Sequence, residues 1–295
     1  MSLKLRGIIV PHATPFGSDG AVNESVLREL VDYLIESGVH GLIPCGSTGE
    51  YVYLTEQEHK KVVETVVDQV NNRVPVIAGA GNPNTDKAVS LAKYAKDVGA
   101  DAVMVIVPYY HTPTADGIVQ HYETIGTKAE IPILMYNFPR VTGIDIDPKT
   151  VLTLAESGSL IGLKDSSRDF GHYAEALHTV GDKISVLNGQ NDFILPALAI
   201  GGHGAVVTSS NIVPGVLVDL FNAFQAGNTS RATELYRKLL PLWKIVHSES
   251  NPIIVKEGLT LLGKPVGPPR KPLHPAKKEN SAKLREVLIN LEVLH

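Results

Sequence analysis

Cysteine is almost missing from this chain of 295 residues, which carries Cys45 alone. An intrachain disulfide and any multi-cysteine metal cluster are thereby excluded, and a reducing compartment, the cytoplasm, is the expected location. Long apolar runs are missing too. No stretch approaches the roughly 20 residues of a membrane span, and Met1-Ser2-Leu3-Lys4-Leu5-Arg6 has no signal-peptide core, so neither export nor a membrane is expected. Positive charge is not in excess: 27 Lys and Arg face 31 Asp and Glu, for a net charge of -4. With no basic run interleaved with aromatics, nothing gathers phosphates, and nucleic acid is not an expected partner. What is present is 43 % hydrophobic and 20 % charged, the composition of a globular protein with a full-sized core.

Short apolar, β-rich runs alternate with longer helical patterns about every 25 residues, the mark of repeated βα units around a parallel sheet. The expected strands are residues 7–13, 41–45, 74–78, 102–107, 131–136, 160–164, 184–188 and 205–208. Thr55 with Glu58 reads as a capping box opening a helix to about Val70, and Asp147-Pro148 opens another that Ser157-Gly158 ends. Gly99, Gly126 and Gly201 read as further helix stops. After Pro214 strand signals cease and helical patterns continue, broken by prolines from Pro265 to Pro275. Eight units favour a closed α/β barrel of the (β/α)8, or TIM, type over an open doubly wound sheet. The expected division is residues 1–213 for the barrel and 214–295 for a C-terminal helical region. Catalytic side chains of such barrels sit at the C-terminal ends of strands.

Three strand ends carry three kinds of chemistry. Leu160-Ile161-Gly162-Leu163 delivers Lys164 from a dry strand to an open loop. An unperturbed lysine is only about 0.04 % neutral at pH 7, so an amine nucleophile needs such desolvation. A neutral lysine condensing with a 2-oxo acid gives an iminium, an electron sink for making or breaking the adjacent carbon–carbon bond. Tyr136, ending the fifth run, is a candidate proton shuttle, although a packed tyrosine is the plainer reading. Tyr109 and Tyr110 follow the fourth run, and spacing alone does not choose which of them joins it. Gly46-Ser47-Thr48-Gly49-Glu50 offers hydroxyls and turn N–H groups to a carboxylate, and it is not a Walker loop. Cys45 reads as a small core residue. Eleven histidines, His12, His111 and His121 among them, form no ligand motif, so no metal is expected and a metal-dependent aldolase is disfavoured.

Ala13-Thr14-Pro15-Phe16, Gly46 to Glu50, Pro108-Tyr109-Tyr110, Tyr136-Asn137-Phe138-Pro139, Gly162-Leu163-Lys164-Asp165, Gly201-Gly202-His203-Gly204 and Asn251-Pro252-Ile253 follow one another in order. Together they closely resemble the family of dihydrodipicolinate synthase and N-acetylneuraminate lyase, pyruvate-dependent class I aldolases on a (β/α)8 barrel. The resemblance implies that Lys164 forms a Schiff base with pyruvate, that no separate cofactor is needed, and that Tyr136 is the acid/base. It implies that Ser47 and Thr48, with the turn at Gly46 and Gly49, bind the pyruvate carboxylate. Tyr110 matches a tyrosine contributed across a dimer interface, and a homotetramer of tight dimers is the implied assembly.

For the second substrate the residues offer two readings. Dihydrodipicolinate synthases usually carry an arginine just before the Thr-Gly that matches Thr142-Gly143; here Val141 holds that place and Arg140 lies one residue earlier. In an extended segment that shift turns the side chain elsewhere. Neuraminate lyases read Tyr-His-Ile-Pro where this chain has Tyr136-Asn137-Phe138-Pro139. The favoured expectation is therefore a hydroxylated aldehyde of the 2-keto-3-deoxy sugar-acid type, with Gly189, Asn191, Asp192 and Thr208 lining its side of the mouth. Aspartate semialdehyde is the alternative. A barrel that binds a 2-oxo acid without turnover is the remote one.

Overall fold

A computed structural model describes residues 3–294. Eight strands alternate with helices: β1 (Gly7–Pro11), β2 (Gly41–Ile43), β3 (Ile77–Gly79), β4 (Ala102–Ile106), β5 (Ile133–Asn137), β6 (Leu160–Asp165), β7 (Ser185–Asn188) and β8 (Gly204–Val206). They form one parallel sheet in the order β2-β1-β8-β7-β6-β5-β4-β3, in which the first strand lies beside the last. That order, with a helix after each strand, is a (β/α)8 barrel. The strands are buried almost throughout, as parallel strands covered on both faces must be.

The chain divides into two compact units. The first holds residues up to Gly7 and Pro75–Val206, with helices α1 (Thr85–Asp97), α2 (Ala115–Ala129), α3 (Pro139–Thr142), α4 (Pro148–Glu156), α5 (Phe170–Val180) and α6 (Ile194–Ala199). Its strands run in register, Tyr136 opposite Lys164 and Lys164 opposite Leu187. Gly204 is required where the chain meets β1, because a Cβ there would lie 2.1 Å from the carbonyl oxygen of Gly7. The second unit holds Ile8–Val74 and Val207–His295, with α7 (Glu24–Glu36), α8 (Glu56–Val70) and the C-terminal helices α9 (Pro214–Gln225), α10 (Thr229–Val246), α11 (Ile253–Leu261) and α12 (Lys278–Asn290).

Local signals act where the sequence puts them. The Thr55 side chain accepts from the Glu58 N–H while Glu58 accepts from the Thr55 N–H, the capping box that starts α8. Asp147 caps α4 with Pro148 in its first turn. Of the boundaries that differ from expectation, three have identifiable reasons. β3 starts at Ile77 rather than Val74: Pro75 has no N–H, and the Asp101 carboxylate takes the Val76 N–H at 2.8 Å in place of a neighbouring strand. β8 ends at Val206 because Thr208 opens a 3-10 turn, whose Asn211 donates to the Thr208 carbonyl. Gly126 ends nothing; it lies inside α2, which stops at Glu130 in a left-handed conformation (φ 50°).

Candidate active site

Lys164 is one residue from the end of β6 and is 4 % exposed. Burial disfavours its charged form and lowers its pKa from 10.5 to about 7. About half of the side chain is then a free amine at pH 7, a thousandfold gain over an exposed lysine. Its strand partner is Tyr136, whose side chain emerges on the same face, and Nζ lies 3.8 Å from the centre of the Tyr136 ring. That ring stacks on Phe138 with centroids 5.6 Å apart. A nucleophilic amine and a phenol are thus held together at adjacent strand ends, the two parts that imine formation and proton transfer require.

Behind Lys164 stands a polar cluster that the sequence did not announce. The Asn137 side chain donates to Asp165 Oδ1 at 3.0 Å and to Asp145 Oδ1 at 2.8 Å. Asp165, 2 % exposed, also accepts from the Ser167 N–H and hydroxyl. His172 approaches it through Nδ1 at 3.2 Å, while Nε2 lies 2.8 Å from the Ile146 carbonyl and 3.4 Å from Asp145. The Asp165 carboxylate beside the ring raises the His172 pKa from 6.5 to about 9. Only the motif residues Asn137 and Asp165 stood out in the sequence; His172 shares no spacing with them that a motif would reveal.

In the second unit, the turn after β2 is pinned at both ends by left-handed residues, Cys45 (φ 55°) and Glu50 (φ 56°). Thr48 is buried and its hydroxyl accepts from the Asn251 side chain at 3.2 Å; Ser47 is half-buried. Gly49 leaves room for Thr14, whose hydroxyl donates to the Gly49 carbonyl at 2.7 Å. Glu50 forms a buried ion pair with Lys256 at 2.7 Å, both side chains being at most 3 % exposed, and accepts from the Arg270 N–H at 2.8 Å. The Arg270 guanidinium in turn grips Glu58, whose pKa it pulls down to about 2. Two strands of chain more than 200 residues apart in sequence thus fix the hydroxyl turn. Cys45 is the core residue it was read to be: it is buried, and burial pushes its thiol well up.

The remaining expected positions have more varied settings. Tyr110 is 91 % exposed, with φ 77° and its ring edge-on to His111. Arg140 and Val141 lie not in an extended segment but in α3, a single helical turn opened by Pro139. Neighbours in a helix diverge by about 100° rather than 180°, and both side chains reach the surface. The reason for discounting Arg140 therefore falls away. Gly189 serves packing, since a Cβ there would lie 2.0 Å from the Ser166 hydroxyl. Asn191 is buried, and Asp192 pairs with Arg168 at 3.9 Å. Thr208 belongs to the second unit. Among the described residues, no group of three or more His, Cys, Asp or Glu is placed to hold a metal ion, and no helix is long and apolar enough to cross a membrane.

Comparison with known proteins bears on this arrangement. Residues 4–291 match the model of the Dihydrodipicolinate synthetase family. The chain belongs to that family. As a member of the dihydrodipicolinate synthetase family it is a class I pyruvate aldolase, a lyase. The 4-hydroxy-tetrahydrodipicolinate synthase of Methanopyrus kandleri is 41 % identical over 296 residues, covering 100 % of this chain and 99 % of its own. A solved dihydrodipicolinate synthase superposes with a TM-score of 0.94 at 40 % identity, covering 98 % of this chain and 100 % of the other. The dihydrodipicolinate synthase of Thermotoga maritima superposes at 0.95 with 34 % identity, covering 99 % and 100 %.

Proposed function

We propose that this protein is a 4-hydroxy-tetrahydrodipicolinate synthase, joining pyruvate to aspartate semialdehyde through a Schiff base on Lys164. The observation that carries the chemistry is the buried Lys164 amine, half neutral at pH 7, against the Tyr136 ring. In this reading the amine attacks C2 of pyruvate, water leaves, and loss of a C3 proton gives the enamine. The enamine carbon attacks the aldehyde, whose oxygen takes a proton relayed by Tyr136; the acceptor's own amino group then adds to the iminium carbon, closing the ring and displacing the Lys164 amine. Ser47 and Thr48, with the turn at Gly46 and Gly49, hold the pyruvate carboxylate, where hydroxyls and N–H groups suit an anion. Tyr110, exposed as it is here, reaches the site of a second subunit in a homotetramer built from tight dimers.

The acceptor is drawn from the relatives: proteins about 40 % identical along the full chain carry the synthase name, which favours aspartate semialdehyde over a sugar acid. Arg140, at the surface one helical step from the usual place, grips the acceptor carboxylate. One observation keeps the sugar-acid reading as a second: Val141, 59 % exposed, gives an apolar side chain where the synthases usually have arginine. Gly189, Asn191, Asp192 and Thr208 are that reading's hydroxyl-facing residues.

The test is intact mass after borohydride treatment with pyruvate, followed by an aldehyde screen. A gain of about 72 Da in wild type and none in Lys164→Ala is expected for reductive attachment through one amine. Consumption of aspartate semialdehyde, weakened in Arg140→Ala, supports the synthase. Consumption of D-glyceraldehyde alone transfers the assignment to the sugar-acid class, and no adduct in wild type refutes both.

A further inference from the structure

His172 has no neutral form that suits its surroundings. The Ile146 carbonyl, 2.8 Å from Nε2, can only accept, so Nε2 must carry a proton. The group 3.2 Å from Nδ1 is the Asp165 carboxylate, already an acceptor of the Asn137 amide and of the Ser167 N–H and hydroxyl, so Nδ1 must carry one too. Asp145, 3.4 Å from Nε2, adds a second negative charge. No donor faces either nitrogen in these contacts. The ring lies in the first turn of α5, where a helix disfavours a cation, and the carboxylates outweigh that.

The cationic ring also joins two parts of the chain. Asp165 directly follows Lys164 at the end of β6. Residues 144–146 end the segment that leaves β5 at Phe138 and carries Arg140, and their alternating burial shows an extended stretch with Ile144 and Ile146 turned inward. That stretch is tied back by few groups: the Ile146 N–H to Asn137 at 3.3 Å, Asp145 to Asn137, and the Thr142 hydroxyl to the Ile144 carbonyl. His172 grips its last carbonyl.

The geometry points to His172 as a positioning residue: as an imidazolium bridging Asp165 and the Ile146 carbonyl, it fixes residues 138–146 against the Lys164 strand end and so governs binding of the aldehyde rather than of pyruvate. The inference rests on the reading of Lys164 and Arg140 given above. Asp165 keeps the Asn137 amide and both Ser167 donors without His172, so the lysine stays placed; the 138–146 segment loses its strongest tie. The raised pKa of His172 agrees with the charged form.

The test compares wild type with His172→Phe, which keeps a ring and loses both donors, and His172→Gln, which keeps one donor group. Aspartate semialdehyde is the acceptor probe. His172→Phe is expected to raise its KM about tenfold or more, as loss of a charge-assisted hydrogen bond allows, with kcat within about threefold and pyruvate trapping unchanged; His172→Gln should lie between. An unchanged KM, or equal loss of trapping and turnover in a folded variant, overturns the inference. Two readouts, one on wild type and one on His172→Gln, stand apart from turnover. The 15N spectrum should show both ring nitrogens protonated at pH 7.5, and a neutral ring there overturns it even if His172→Phe does not fold. Amide exchange at 144–146 should quicken in His172→Gln, and unchanged exchange overturns it even if no aldehyde is consumed. Absence of a pyruvate adduct in wild type is the distinct failure of the functional reading, and the spectrum and exchange still decide the role of His172.

Discussion

The lowered pKa of Lys164 makes the pH profile of pyruvate capture a direct test of its burial. With the amine titrating at about 7, its neutral fraction is about 9 % at pH 6, 50 % at pH 7 and 91 % at pH 8, by simple titration. The second-order constant kcat/KM for pyruvate reports the free enzyme, so it should climb about tenfold from pH 6 to pH 8 and then flatten. An exposed lysine, near 10.4, behaves differently: its neutral fraction is still rising tenfold per pH unit at pH 9. The two cases are already well separated between pH 8 and 8.5, where the buried amine gains less than about 10 % and the exposed one about threefold. Below pH 8.5 His172 keeps most of its proton, having a pKa of about 9, so it does not confuse the plateau. The assay is initial-rate kinetics at limiting pyruvate and saturating aldehyde, in buffers of constant ionic strength. A log-linear rise that continues past pH 8.5 refutes the argument that desolvation activates Lys164.

Further outcomes follow from the same geometry. Tyr136→Phe should keep the borohydride-trapped pyruvate adduct while kcat falls by about 10²- to 10⁴-fold, the usual worth of a placed proton carrier, seen by comparing intact mass with turnover. Lys164→Met should stabilise the fold, because a lysine whose pKa falls on folding must shed a proton. The cost of the native lysine is full below pH 7 and disappears as pH rises to 10.5, so denaturant titration should show a gain of up to about 4 kcal/mol at pH 7, shrinking toward zero near pH 10.5. Lys256→Met leaves Glu50 buried with the Arg270 N–H as its remaining tie; a loss of about 3–5 kcal/mol in urea unfolding is expected. A midpoint unchanged from wild type would show that this pair does not hold the turn.

What could be read in the sequence was whatever depends on near neighbours. Eight apolar runs became eight strands, and Thr55 with Glu58 capped its helix, because periodicity and caps act within a few residues. Lys164 and Tyr136 could be singled out one at a time, each ending a buried run, and the parallel register then set them opposite one another. Gly126 misled because a glycine inside a helix and one that ends it look alike until the last turn closes, here at Glu130. The supports of the site were hidden for a different reason. Glu50 and Lys256 are 206 positions apart in the chain, and His172, in the helix after β6, meets Ile146 in the extended stretch that precedes Asp147; no pattern of spacing marks a partner that only folding supplies.

The same limit explains the weight given to Val141. In an extended run of residues 139–142 neighbours would face opposite ways; Pro139 instead opens a helical turn, and Arg140 and Val141 share the surface. A single position cannot choose an acceptor when the conformation of its segment is set elsewhere. Here that conformation hangs on Asn137 and His172, each binding both a strand end and the stretch that follows Arg140. On the proposed reading, selectivity for the aldehyde depends on how the 138–146 segment is held as much as on which side chains it bears. An arginine restored by Val141→Arg should accordingly change acceptor preference less than loosening the segment at His172 does. A larger effect of Val141→Arg on the ratio of kcat/KM for aspartate semialdehyde to that for D-glyceraldehyde would show that the side chain, not its support, decides.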